Sequence, residues 1–101
     1  MDTEEKAKLL AKYEIGWWKA HHRKDKESFI QNMVNLYELQ FGIKRSIAVS
    51  AVYARLEAAD YHDVAEKKED GGYQDEADIY WKAAEDSLKK HFEILEKGEL
   101  N

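Results

Sequence analysis

Three observations predict an all-α fold, an antiparallel four-helix bundle. Apolar residues recur at three- and four-residue intervals in four stretches. No segment alternates with the period of two that a half-buried strand shows. The breaks between stretches are short and fall at Asp25, Gly42 and the Gly71–Gly72 pair, with no proline in the 101 residues. Short connections join antiparallel neighbours, which places the helices at about 3–24, 26–41, 44–70 and 73–97 within one domain, 1–101.

In the first helix, Asp2, Glu4 and Glu5 put negative charge at the positive end of the helix dipole. Its apolar stripe is Leu10, Tyr13, Trp17 and Ala20, with Ile15 and Trp18 on a flanking line. Gly16 costs about 1 kcal/mol relative to alanine, a cost offset where a neighbouring helix needs close approach. Asp25 is a good N-cap for the second helix. That helix repeats Phe29, Ile30, Met33, Val34, Leu36, Tyr37 and Phe41 and stops at Gly42. The third helix carries a small-residue stripe, Ile47, Ala51, Ala54, Ala58, Tyr61 and Ala65, and a second line, Val49, Val52, Leu56 and Ala59. Two apolar lines suit a central helix or one at a dimer interface. The fourth helix follows Gly71–Gly72, carries Tyr73, Ala77, Tyr80/Trp81, Ala84, Leu88, His91/Phe92 and Leu95, and is expected to end at Gly98.

Composition narrows the function classes. A net charge of -5 argues against a nucleic-acid footprint, which needs a basic surface. With no cysteine there is no disulfide, thiolate metal site or cysteine nucleophile. The start, MDTEEKAKLL, does not read as a secretory leader. No apolar run approaches the roughly 20 residues that span a bilayer, so no membrane association is expected and a cytoplasmic placement is.

The stretch 61–88, with Ala65, the Gly71–Gly72 turn, Tyr73, Ala77, Tyr80/Trp81 and Ala84, puts small and aromatic residues where two helices of a hairpin touch. It resembles a single tetratricopeptide-like helical hairpin, and a microtubule-interacting-and-trafficking type three-helix domain has a similar pattern. The resemblance implies a partner-peptide adaptor.

The densest chemistry lies in EIGWWKAHHRKDK (14–26). Adjacent tryptophans cannot share a helix face: Trp17 falls with Leu10, Glu14 and His21, and Trp18 with Ile15 and His22. One is expected in the core and the other over a subunit interface. Alternatively, Trp17, Trp18, Tyr73, Tyr80 and Trp81 line a ligand pocket. His21 precedes Asp25 by four residues and His62 precedes Glu66 by four, a usable metal-ligand spacing on one face. If both turns of an up-down bundle lie at one level, Glu14, His62 and Glu85 sit about 15, 12 and 18 Å below it, with His21 about 5 Å down. A divalent transition metal among Glu14, His21, His62 and Glu85 is then a geometric option; the plainer expectation is histidines at the boundary of the core. His91, about 27 Å down, is outside any such site. Basic His21, Arg23, Lys24 and Lys26 are expected at the same end as acidic Glu66, Glu69, Asp70, Asp75, Glu76 and Asp78.

No nucleophile–base triad, phosphate-binding glycine loop or zinc-protease motif occurs. The leading expectation is a non-enzymatic helical interaction module forming a homo-oligomer, most simply a dimer. The others are a metal-carboxylate or small-ligand-binding bundle and the peptide adaptor.

Overall fold

The chain folds into four helices: α1 (Thr3–His22), α2 (Lys26–Phe41), α3 (Arg45–Asp70) and α4 (Gln74–Leu100). The computed structural model describes residues 1–100, and the side chains of residues 1–98. Among these there is no strand, and the helices pack on one another as an all-α antiparallel bundle.

Local chemistry accounts for the helix ends. The Asp2 carboxylate accepts the Glu5 N–H at 2.8 Å, and that of Asp25 accepts the Ser28 N–H at 3.1 Å, so each satisfies a donor that the first turn leaves open. The Ser28 bond holds the Asp25 carboxyl below its ordinary pKa. Gly42 closes α2 in the left-handed region at φ 63°. α1 ends at His22, two residues before the expected position, because Lys24 turns to φ 59°.

α4 runs through Gly98 instead of stopping there. The glycine serves close packing: a Cβ at 98 would lie 2.8 Å from Ile47 Cγ2 and 3.1 Å from Ile43 Cγ2. Gly16 behaves alike on α1, where a Cβ would meet the Asn32 side chain, itself bonded to the Ser28 carbonyl.

The bundle is two hairpins laid side by side. α3 and α4 share the most extensive interface, α1 packs along α2, and α2 joins the hairpins by lying on α3; among the described residues no other pair packs along its length. The α3–α4 seam is built from Ala54, Ala58, Ala65, Ala77 and Ala84, all buried. Phe29, Met33, Val34, Leu36 and Tyr37 of α2 form one core with Ala48, Ala51, Val52 and Leu95. α3 is thus the central helix, with neighbours on two sides. The molecule measures 51 × 31 × 19 Å, flat rather than cylindrical, as expected when α1 and α4 stay on opposite edges.

Candidate functional site

The hairpins differ in length, and the tight connection at 42–44 aligns their bottom ends. All of the difference therefore appears at the top. Lys26, the first residue of α2, lies 3.8 Å from Asp60 on α3. Residues 61–70 run on past it, about 15 Å at 1.5 Å per residue. The turns at 23–25 and 71–73 are not level, contrary to the assumption behind the expected depths. The basic tip of α1–α2 accordingly meets Asp60 and Asp63, while the acidic 66–78 segment projects beyond it.

At the level where α2 begins, a notch opens between the end of α1 and the face of α3–α4. Its cleft, about 480 Å³, is bounded by His21, His62, Trp81, Ala84, Glu85 and Leu88. The rings of His62 and Trp81 meet edge to face at 5.1 Å. His62 Nε2 lies 3.0 Å from Glu66 Oε1, and Nδ1 lies 3.6 Å from Asp63 Oδ1. The Trp81 indole N–H donates to Glu69 at 2.7 Å, and the Gln74 amide donates to Asp78 at 2.7 Å. One face thus gathers Asp63, Glu66, Glu69, Asp78 and Glu85 around an aromatic centre. A contiguous cleft of about 510 Å³, reaching Trp17, Phe29 and Lys24, lies beneath the α1–α2 tip.

The structure brings His21, His62 and Glu85 to this one cleft but not Glu14, which is exposed on α1. The reason is architectural: α1 packs chiefly on α2, so its flank does not turn toward α4. Among the described residues no three histidine or carboxylate side chains are grouped to hold a metal ion.

The aromatic residues separate likewise. Trp17 packs edge to face on Phe29 at 5.6 Å, with its indole N–H buried and unpaired. Trp18 points outward, 51% exposed, touching the Trp17 ring edge to face at 6.0 Å. Tyr80 pairs with Tyr61 at 6.4 Å, and Tyr73 stands at the turn under Lys68. These two tyrosines do not border the clefts that Trp17 and Trp81 border.

Sequence reasoning missed two things. Arg55 lies under both clefts; it interrupts the inner line of α3 between Val52 and Ala59, and a charge on an apolar line was the available signal. His91 is 2% exposed, while neighbouring Phe92 is 58% exposed. The His91 Nε2 and the Tyr37 hydroxyl share a 2.8 Å hydrogen bond that ties α2 to α4, leaving Nδ1 buried without a partner. Burial pushes the imidazole down to about 4, and the Arg55 guanidinium adds to the effect. Burial also pushes the Tyr37 phenol up, against the pull of Arg55.

The chain matches no family model, no curated protein and no solved structure. No described helix is long and apolar enough to cross a membrane.

Proposed function

We propose that this chain is a non-enzymatic helical interaction module that self-associates. The observation that carries the reading is the outward face of α1. Trp18 and Ile15 stand side by side on it, 51% and 43% exposed, on a helix that leans chiefly on one neighbour. Covering apolar area is favourable by roughly 25 cal/mol per Å², and tryptophan is enriched where protein interfaces bury it. A small chain with an edge helix of this kind gains core by pairing.

Light scattering across a concentration series tests the reading. The wild type is expected to reach twice the chain mass, and Trp18→Ala to stay nearer the chain mass. Wild type and variant that are both monomeric throughout would end it.

A second reading is a metal-carboxylate or small-ligand-binding bundle; what supports its ligand-binding form is one cleft bordered by His21, His62, Trp81 and Glu85. Zinc or iron that raises the melting temperature of tag-free protein would support this. Purified protein without metal, and a melting temperature indifferent to both ions, would remove it.

A further inference from the structure

The outward stripe of α1 is basic as well as apolar. Lys8, Ala11, Lys12, Ile15, Trp18, Lys19 and His22 follow at helical intervals, all exposed, and no carboxylate falls on that line between 8 and 22. The notch has the opposite character: an aromatic and aliphatic floor of Trp81, Ala84 and Leu88, edged by Asp63, Glu66, Glu69, Asp78 and Glu85. Its cleft runs along α3 from Arg55 to Asp63, roughly two turns of helix. The C-terminal half of α1 presents Ile15 and Trp18 with Lys12 and Lys19 to either side.

We infer that the occupant of the notch is a second copy of this chain, with the basic outer stripe of α1 of each protomer laid in the acidic notch of the other. This rests on the self-association proposed above and names the surfaces that perform it. Both surfaces lie toward the same end of the molecule: His21 borders the notch, and Trp18 precedes it by three residues on α1. A two-fold axis beside that end lets each α1 enter the other notch, closing the assembly as a pair. The contact is helix-in-groove, with apolar anchors for affinity and flanking charges for register and partner choice.

A charge exchange on the full chain tests this. The variant Lys12→Glu/Lys19→Glu reverses the stripe, and Glu66→Lys/Asp78→Lys reverses the notch. Each alone is expected to weaken the dimer by at least about tenfold in dissociation constant, with helical circular dichroism retained. An equimolar mixture of the two should recover dimers of mixed composition, because each reversed stripe then meets a reversed notch. Recovery excludes misfolding as the cause of the single losses. A wild-type dimer unmoved by either reversal, or reversals whose mixture does not recover, would overturn the inference and leave self-association standing. A monomeric wild type would overturn both.

Discussion

Lys26 Nζ lies 3.8 Å from Asp60 Oδ2, and this pair marks where α2 begins along α3. Everything distinctive about the upper end of the molecule follows from that register, including the overhang, the notch and the separation of basic and acidic tips. The ion pair reports the register without enforcing it. Both side chains are well exposed, and such pairs contribute about 0–1 kcal/mol. Lys26→Ala should therefore lower the urea-derived stability by less than about 1 kcal/mol. Gly42→Ala should cost more, about 1–2 kcal/mol, because it forces an L side chain to φ 63° in the connection that aligns the hairpins. Equal effects would contradict this account of the register.

The two tryptophans should respond differently to truncation. Trp17→Ala removes a ring that packs on Phe29 and borders the core, with an expected loss of about 3 kcal/mol in chemical denaturation. Trp18→Ala removes an exposed ring and should change the stability of the isolated protomer by no more than about 0.5 kcal/mol, while lowering solution mass. Measured at concentrations below dimer formation, a large stability loss for Trp18→Ala would argue that it belongs to the core.

His91 gives the fold a pH dependence of definite sign. Its folded-state value, about 4, lies below the ordinary histidine value of 6.5, so the unfolded chain binds the proton more readily. Stability from this group is complete above pH 6.5 and is lost as pH falls toward 4. Between pH 7 and 5 the loss is about 2 kcal/mol. His91→Gln, which keeps a polar partner for Tyr37 but does not titrate there, should flatten the urea-midpoint profile over that interval. A wild-type profile equally flat would show that the imidazole is not held neutral by its surroundings.

The legible part of this fold was its local part. Asp25, Gly42 and the paired glycines at 71–72 each impose a conformation on their own residues, so a single stretch of sequence suffices to place them. The small-residue stripe of α3 likewise signalled close packing, and its alanines at 51, 54, 58 and 65 are buried. What escaped depends on residues far apart in the chain. Gly98 read as a stop because glycine often follows helices, but its reason is Ile47, across the bundle. His91 and Phe92 both suited the inner line, and hydrophobicity favours the phenylalanine; Tyr37, 54 positions away, gives the histidine its buried partner. The offset of the hairpins is of the same kind. Helix lengths can be read from periodicity, but which ends align is decided by the short 42–44 connection and by packing of α2 on Ala48, Ala51 and Val52.

That offset also reshaped the candidate site. With level turns, Glu14, His62 and Glu85 converge at mid-bundle; with the observed register and α1 on an outer edge, His21, His62 and Glu85 border a notch and Glu14 remains on the flank. The Trp-Trp pair divides as helix geometry requires, Trp17 toward Phe29 and Trp18 toward solvent.

The central claim is that the outward face of α1 is a surface this chain buries against another copy of itself. The solution mass of the unmodified chain, followed by light scattering as concentration rises, tests it most directly. The account predicts a mass that climbs to twice that of the chain and stays there. A mass equal to one chain at every concentration would contradict it.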